Sequence, residues 1–298
     1  MPDRDVQAVI LAAGRGTRLG SILNGKPKCM LEVGGRTLIQ HQIHALTRLG
    51  ITRIGVVVGH GAEYVREHLG DSCHYIENEI YAETNSLYSL WLTREWVDSP
   101  FVLMNSDVLA HPEIIARVAS VSSSVLAYDS TSGDEDEHMK ISLSSGRVSG
   151  LSKTMRQDAV SGENVGILKF GKDAIAPLMD AAEQIVTAGN VTCWAPAAVD
   201  AIAKTNHISA VDISDLCWVE IDYPEDLDKA TSEVWPTISD EHVRQGGHIR
   251  VVSNGSGHPA PQTVVRSNGH PIKGKAKSLL ARLIKQRTAA VPSQATSA

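Results

Sequence analysis

Two hydrophobic patterns alternate along the first third of the chain. Short runs of apolar residues that end in glycine or polar residues are typical of buried strands, whereas apolar residues three and four positions apart are typical of helices. The predicted strands lie at residues 6–13, 54–58, 74–77 and 101–104. The predicted helices lie at residues 38–49, 63–69 and 86–95. This alternation indicates a mostly parallel sheet with helices on both of its faces.

The pattern changes after residue 120. Short strand-like pieces separated by turns predict an antiparallel extension of the sheet, at residues 124–128, 140–143, 148–151 and 166–170. Two helices, a late strand and a helix that opens with proline follow, at residues 175–186, 197–204, 218–221 and 224–230. We therefore predict one α/β domain over residues 1–238, with helices flanking a mostly parallel sheet and a small antiparallel β extension.

The composition shifts at residue 239 toward Gly, Ser, His and Pro, which predicts a flexible, linker-like tail over residues 239–298. Nine Lys and Arg against two acidic residues give residues 240–298 a charge of +7, so the net −6 of the whole chain leaves −13 for the rest. A short basic amphipathic helix is predicted at residues 275–287. It suits a membrane surface or an acidic partner, although we favour a basic appendage without a specific role.

Composition excludes several classes of protein. An acidic body is a poor nucleic-acid binder, because neutralising phosphates requires a basic surface. The four cysteines are widely spaced and form no C-x-x-C pair, so neither a zinc site nor a disulfide framework is predicted. The chain has no signal-peptide-like start and no run near the ~20 apolar residues of a membrane span, so we expect a cytoplasmic protein. A homodimer remains open.

The first predicted strand leads into a loop rich in glycine and cations. Its sequence is LAAGRGTRL at residues 11–19, and Lys28 follows nine residues later. Small residues let backbone N–H groups approach phosphate oxygens closely. Arg15, Arg18 and Lys28 add positive charge in an otherwise acidic body. We therefore expect this loop to bind a polyanion.

The loop closely resembles the signature of nucleotidyltransferases that activate a phosphorylated substrate with an NTP and release pyrophosphate. Residues 78–90, NEIYAETNSLYSL, resemble the N-x-x-Y-x-x-T-N-S-x-Y-S-L run of phosphocholine and phosphonate cytidylyltransferases. Further ordered similarities to this subgroup lie at residues 139–141, 152–153, 162–167 and 218–227. The resemblance covers about residues 6–232 and implies a Rossmann-like nucleotidyltransferase fold in which the signature loop wraps the nucleotide.

The resemblance also implies roles for particular residues. The implied nucleotide-binding residues are Leu11, Ala12, Ala13, Gly14, Arg15, Gly16, Thr17, Asn78, Thr84, Asn85 and Ser86. The implied substrate-binding residues are Tyr88, Lys153, Glu163, Trp194 and Glu220. The implied catalytic residues are Arg18, Lys28, Asp107 and Asp222. Turn and helix-cap roles remain the alternative for Asn78, Thr84, Asn85 and Ser86.

Two aspartates suggest a metal site. Asp107 directly follows one predicted strand and Asp222 directly follows another, and the carboxyl ends of strands are where α/β folds bind ligands. Mg²⁺ prefers oxygen ligands and phosphates, and the resemblance assigns both aspartates to this metal. A helix-capping role is the alternative for Asp107 alone.

The implied reaction joins two anions. A phosphate or phosphonate oxygen of the substrate attacks the α-phosphorus of CTP in line, and pyrophosphate leaves. Positioning and charge neutralisation are then the main catalytic demands. No general base is needed, because the attacking oxygen is already ionised near neutral pH.

The acceptor compound stays open at this stage. Relatives that take choline or aminoethyl groups tend to combine aromatic and acidic residues, but Trp194 is flanked here by Cys193, Ala195 and Pro196. Trp194 could be a pocket wall or part of the core, and a small acidic or neutral phosphonate becomes a candidate acceptor. The acidic run at residues 134–137 is interpreted as a solvated loop.

Three other functions remain as alternatives. A sugar-1-phosphate nucleotidyltransferase would share the first loop but would not be expected to carry Thr84, Asn85 and Ser86 in their run. A non-catalytic nucleotide-binding regulatory module would bind CTP without releasing pyrophosphate. An adaptor that acts through its tail would lose its function when residues 240–298 are deleted, whereas we expect such a truncated enzyme to keep most of its turnover.

Overall fold

A large mixed sheet organises the residues that the computed structural model describes, 6–133 and 135–244. The strands in this part of the chain are β1 (Gln7–Ala12), β2 (Glu32–Val33), β3 (Arg36–Thr37), β4 (Arg53–Val58), β5 (His74–Glu77), β6 (Phe101–Asn105), β7 (Val108–Ala110), β8 (Val125–Asp129), β9 (Lys140–Ser144), β10 (Arg147–Ser152), β11 (Gly162–Phe170), β12 (Ser209–Asp212) and β13 (Trp218–Glu220). The helices are α1 (Leu38–Arg48), α2 (Ala62–Leu69), α3 (Ser86–Leu92), α4 (Pro112–Ser120), α5 (Lys172–Thr187), α6 (Pro196–Ala203), α7 (Pro224–Lys229) and α8 (Trp235–Arg244).

Nine of these described strands form the sheet, in the order β5-β4-β1-β6-β11-β8-β12-β10-β9. All except β11 and β10 run in the same direction, so the predicted mostly parallel sheet is confirmed. The predicted antiparallel extension corresponds to the hairpin of β9 and β10. Strand β11, which was predicted as part of that extension, instead lies between β6 and β8. All nine of its residues are buried, which suits a strand inside the sheet rather than at its edge.

The helices cover both faces of the sheet, as the alternating pattern predicts. On β1, Ala8, Ile10 and Ala12 belong to one large apolar cluster, to which α1 and α4 also contribute. Their neighbours along the strand point to the opposite face, because side chains alternate along a strand. Helices α3, α5 and α6 pack against one another. Strands β7 and β12 and helix α4 were not predicted.

The C-terminal helices continue past the predicted domain boundary. Helix α7 passes through a π-helical turn at Ala230–Val234 into α8, which ends at Arg244. The boundary predicted at residue 239 therefore falls inside a helix, which continues to Arg244. A truncation intended to leave this helix intact should start beyond Arg244. The helix predicted at residues 275–287 lies outside the described residues.

A second apolar cluster joins the N-terminal loop to these C-terminal helices. It includes Leu19 and Leu23 after the glycine loop, Ile221 after β13, and Val234 and Ile238 near the end of the described chain. This cluster ties the loop and the end of β13 to one common core. Among the described residues, no helix combines the length and apolar character needed to cross a bilayer.

The turn between β2 and β3 packs directly on this C-terminal segment. Gly34 and Gly35 both have left-handed backbone angles, with φ of +60° and +80°. A Cβ atom on Gly34 would lie 2.0 Å from the Trp235 ring, whereas a Cβ atom on Gly35 would meet nothing within 4 Å. Only the first glycine is therefore required by packing as well as by backbone conformation.

We expect Gly34→Ala to destabilise the protein more than Gly35→Ala. Both variants pay the left-handed backbone cost of ~1 kcal/mol, and Gly34→Ala adds an overpacking cost of ~2 kcal/mol against Trp235. Urea unfolding of the two matched variants measures the difference. Equal unfolding free energies would show that the turn does not pack on the helix.

Candidate active site

A cleft opens where β1 and β6 end. These strands pair in parallel with Leu11 opposite Asn105, and the backbone N–H of Ser106 donates to the Leu11 carbonyl at 3.3 Å. The loops that follow the two strands therefore start side by side. The cleft has a volume of about 430 Å³.

The glycine loop forms one wall of the cleft. A Cβ atom at Gly14 would meet nothing within 4 Å, which leaves open space beside the backbone. Gly16 has φ of +59°, and a Cβ atom there would lie 2.9 Å from Leu23 and 3.1 Å from Lys28. The two glycines therefore serve different purposes: the first leaves room for a ligand, and the second lets the loop close against Lys28.

Three carboxylates meet beside this loop. Strands β7 and β13 pair in antiparallel fashion with Val108 opposite Glu220, and the N–H of Ile221 donates to the Asp107 carbonyl at 3.0 Å. This pairing brings Asp107, Glu220 and Asp222 together, with one oxygen of each within 4.8 Å of the others. Glu220 and Asp222 are two residues apart, so they share one side of the extended segment.

Lys28 is the cation at the centre of this group. Its Nζ lies 2.8 Å from Asp107 and also forms an ion pair and hydrogen bond with Asp222. Burial by itself disfavours the charged ammonium, but the two carboxylates raise the pKa of Lys28 above its ordinary value. Burial likewise opposes the charge on Asp222, and Lys28 and Arg18 nevertheless lower the pKa of that carboxyl. The charged forms of Lys28 and Asp222 therefore stabilise each other.

Glu220 has the most perturbed environment of the three acids. Burial, followed by the nearby charges of Asp107 and Asp222, raises its pKa to about 8. Like charges held close together in a desolvated site favour the protonated form of one of them. A cation added to this group would relieve that repulsion.

The carboxylate group fits a divalent metal ion. Asp107 Oδ1 is buried and has no hydrogen-bond partner in the described part of the chain, although buried polar atoms are normally paired. An unpaired carboxylate oxygen beside two further carboxylates provides the hard oxygen ligands that Mg²⁺ prefers. Asp107 and Asp222, the residues singled out from the sequence, would hold such an ion together with Glu220.

A row of ion pairs lies at the mouth of the cleft. Arg18 donates to Asp222 at 2.8 Å and to Glu137 at 3.1 Å. Glu137 also pairs with Lys153 at 3.4 Å, and the Lys153 Nζ lies 5.0 Å from the centre of the Trp194 ring. The acidic run at residues 134–137 was interpreted as a solvated loop, but the structure brings Glu137 into the cleft between two cations.

Several residues of the 78–90 segment line the cleft and form hydrogen bonds with one another. Asn78 Nδ2 donates to Thr84 Oγ1 at 3.0 Å and to Ser89 Oγ at 3.2 Å. Asn85 caps α3 by accepting from the Ser86 N–H at 2.8 Å, and Ser86 Oγ accepts from the Ala195 N–H at 2.8 Å. These side chains have the cap and turn roles that the sequence left open, and Asn78, Thr84, Asn85 and Ser86 also line the cleft.

Most of the residues predicted from the sequence line the cleft. They are Leu11, Ala12, Ala13, Gly14, Gly16, Thr17, Arg18, Lys28, Asn78, Thr84, Asn85, Ser86, Asp107, Lys153, Trp194, Glu220 and Asp222. The structure leaves Arg15, Tyr88 and Glu163 out of the lining. Arg15 is exposed outside it, and Tyr88 is buried with its ring 5.2 Å from the Trp91 ring.

Glu163 is excluded by the alternation of side chains along β11. It is buried, accepts a hydrogen bond from Ser132 and lies 3.3 Å from His138. Its neighbour Asn164 lines the cleft instead. The sequence-based prediction missed Asn164 and also the lining residues Asn105, Ser106, Met139 and Glu137. Asn105 and Ser106 could have been found, because they directly precede Asp107.

Comparison with known proteins agrees with this geometry. Residues 8–207 match the MobA-like NTP transferase domain. The chain belongs to this family. Its structural similarity extends to the inositol-1-phosphate CTP transferase of T. maritima, with a TM-score of 0.67 at 22% identity over 81% of this chain and 98% of that one. The CTP:phosphocholine cytidylyltransferase of Streptococcus pneumoniae superimposes with a TM-score of 0.63 at 22% identity, over 75% of this chain and 96% of that one. These likenesses establish the shared Rossmann-like α/β fold.

Sequence relatives point to the same part of the family. The chain is 29% identical over 261 residues to the CMP-5'-(3-aminopropyl)phosphonate synthase of Streptomyces rubellomurinus, covering 82% of this chain and 41% of the relative. It is 37% identical over 101 residues to the choline-phosphate cytidylyltransferase of Streptococcus pneumoniae, covering 33% of this chain and 43% of the relative. The matched regions therefore span less than half the length of these two relatives.

We expect Asp107→Asn to weaken Mg²⁺ binding at least about tenfold, because it removes a charged ligand from the carboxylate group. A ligand that binds only the folded state raises its stability, so added Mg²⁺ should raise the Tm of the unaltered protein more than that of the variant. Differential scanning calorimetry across a Mg²⁺ series measures this difference.

The matched control is Asp215→Asn. Asp215 pairs with Arg117 at the surface, at 2.6 Å, and does not line the cleft. This control should show the same Mg²⁺-dependent rise in Tm as the unaltered protein. A rise that is undiminished in Asp107→Asn would exclude Asp107 as a metal ligand.

Proposed function

We propose that this chain is a CTP-dependent cytidylyltransferase that couples CMP to a small phosphonate or a phosphocholine-like substrate and releases pyrophosphate. The observation that carries the proposal is the meeting of Asp107, Glu220 and Asp222 with Lys28 beside an open glycine loop. Acidic and basic groups in this arrangement suit the union of a metal-bound nucleotide with a second anion.

The choice of CTP rests on the relatives. The CMP-5'-(3-aminopropyl)phosphonate synthase, the choline-phosphate cytidylyltransferase and a CTP:phosphoglutamine cytidylyltransferase of Campylobacter jejuni all carry names that refer to a cytidine nucleotide. Asn78, Asn85 and Ser86 line the same cleft as Gly14, whose backbone has open space beside it. Their amide and hydroxyl groups are of the kind that can recognise a base edge and a ribose.

In the proposed reaction, an ionised oxygen of the acceptor attacks the α-phosphorus of CTP. A bond forms between that oxygen and the α-phosphorus while the bond from the α-phosphorus to the bridging oxygen breaks, and pyrophosphate carries away the electron pair. The acceptor oxygen needs no base, because the second pKa of a phosphate monoester lies near 6 and its oxygens are ionised near neutral pH. A divalent ion held by Asp107, Glu220 and Asp222 would polarise the α-phosphate and neutralise phosphate charge.

The side chains of this chain then have separate tasks. Lys28 offers positive charge from a largely buried position, so water screens its charge less than that of a surface lysine. Arg18 lies at the cleft mouth and is the more exposed of the two cations, which suits contact with the departing pyrophosphate. The open space beside Gly14 would let a phosphate group approach the backbone of the glycine loop closely.

A sugar-1-phosphate nucleotidyltransferase is the second candidate. It is favoured by a 35% identity over 106 residues to the UTP–glucose-1-phosphate uridylyltransferase of Haloferax volcanii, which covers 34% of this chain and 43% of that relative. A regulatory module that binds the nucleotide without turnover is the third. All three share the glycine loop, so only turnover separates them.

We expect pyrophosphate release with CTP to exceed release with ATP, GTP and UTP by at least about tenfold, a typical discrimination for a base-reading site. The acceptors to compare are phosphonates, phosphocholine and sugar 1-phosphates, with pyrophosphate measured by a coupled assay. Turnover of a sugar 1-phosphate with UTP would replace the proposal with the second candidate. Nucleotide binding without pyrophosphate from any acceptor would favour the regulatory module.

We expect Lys28→Met to lower kcat by roughly 100-fold to 1000-fold, because it removes a positive charge from the reacting phosphates. Lys28→Arg retains the charge with a different shape and should lose less. Lys172→Met, on an exposed position of α5, is the matched control and should keep the activity of the unaltered protein. Steady-state kinetics measures the three variants, and circular dichroism verifies that each is folded. A folded Lys28→Met variant with full kcat would contradict the assignment.

A further inference from the structure

Trp194 is an exposed aromatic residue that already has a cation on its face. Its side chain is 48% exposed and lines the cleft, and the Lys153 Nζ lies 5.0 Å from its ring centre. This distance is within the range of a cation–π interaction. The chain therefore places its own ammonium group where an aromatic wall would otherwise accept a cationic ligand.

Backbone contacts hold both partners of this stack. The Lys153 carbonyl accepts from the buried Lys140 Nζ at 3.1 Å. On the other side, the Leu87 N–H donates to the Cys193 carbonyl at 3.2 Å, and the Ala195 N–H donates to Ser86 Oγ at 2.8 Å. The segments that carry Lys153 and Trp194 are therefore anchored on both sides of the stack.

Among the described residues that line the cleft, no acid is left without a cationic partner or a place in the carboxylate group to bind an ammonium group. Of the described residues that line the cleft, Asp107, Glu220 and Asp222 form the carboxylate group at Lys28, which leaves Glu137. Glu137 already pairs with both Lys153 and Arg18, and these two cations lower the pKa of its carboxyl. A quaternary ammonium would meet Lys153 on the aromatic face and would have to compete with two cations for Glu137.

We propose that the acceptor carries a second anionic group, most simply a carboxylate, in addition to its phosphonate or phosphate, and that Lys153 binds this second group. The inference rests on the proposed cytidylyltransferase function and specifies its acceptor. The acceptor carboxylate takes the place of Glu137 on Lys153, and Glu137 keeps its contact with Arg18. Lys153 is thus a specificity-determining residue, and its stacking on Trp194 fixes the direction from which it meets the acceptor.

The test compares acceptors that differ in the charge of the second group. Phosphonoacetate and phosphoglycolate carry a carboxylate on a phosphonate and on a phosphate, and 2-aminoethylphosphonate and phosphocholine carry a cation on the same two groups. Their affinities for the full chain are measured by calorimetry, with Mg²⁺ and with or without α,β-methylene-CTP, which cannot transfer its CMP. Pyrophosphate release with CTP is measured separately.

We expect both carboxylate acceptors to bind at least about tenfold more tightly than their cationic counterparts, because the Lys153 ammonium attracts a carboxylate and repels a cation in a partly desolvated site. Lys153→Met should reduce or reverse this ratio, and Lys153→Gln should do the same if the first variant does not fold. Lys204→Met, at an exposed position paired with Asp200 at 3.8 Å, is the matched control and should keep the ratio. A preference confined to phosphonoacetate or to phosphoglycolate identifies which phosphorus group the acceptor has.

Two results would overturn the inference. One is equal or tighter binding of the cationic acceptors by the unaltered protein. The other is an equal loss for both kinds of acceptor in Lys153→Met, which would place Lys153 on the phosphonate oxygens instead. If the protein releases pyrophosphate but prefers the cationic acceptors, the proposed function stands and the inference about the acceptor is wrong. If it prefers the carboxylate acceptors but releases pyrophosphate with none of them, the binding preference stands and the proposed function is wrong.

Discussion

The ion pairs of Lys28 with Asp107 and Asp222 are the interaction on which the arrangement of the cleft depends. Lys28 packs against the glycine loop at Gly16, and its ion pairs reach the ends of two strands that are distant in sequence. Lys28 and Asp222 are separated by 194 positions. A buried charge that loses its partner is strongly unfavourable. These three groups are partly buried, so each one stabilises the charge of its neighbours, and the pairing of β7 with β13 keeps Asp107 and Asp222 within reach of one cation.

The same charges continue outward as a chain of alternating sign. From Lys28 it passes through Asp222, Arg18 and Glu137 to Lys153, and it ends on the face of Trp194. The inner end is the less exposed part and combines carboxylates with Lys28, whereas Arg18 and Glu137 toward the outer end are more exposed to solvent. An anionic ligand that displaces one of these carboxylates would still leave the cation paired. This row of ion pairs therefore favours polyanionic ligands.

One fold accommodates different acceptors. Two solved structures share it with this chain at only 22% identity, with TM-scores of 0.63 and 0.67, and one is described as a CTP:phosphocholine cytidylyltransferase and the other as an inositol-1-phosphate CTP transferase. In this chain, the glycine loop and Asp107 follow the ends of β1 and β6 at the edge of the sheet. Side chains at the cleft mouth, such as Glu137 and Lys153, can change without disturbing the sheet, because they belong to loops and strand ends.

The sequence alone determined the alternation of strands and helices, the glycine loop and the positions of Asp107 and Asp222 after strands, because these features follow from local periodicity and from residue types next to a strand. Only the tertiary structure decided the rest. The position of β11 inside the sheet, the choice of Asn164 rather than Glu163 for the cleft, and the approach of Glu137 to Arg18 all depend on which distant segments become neighbours. A local pattern shows that a strand has two different faces, but the partners that pack on those faces come from elsewhere in the chain.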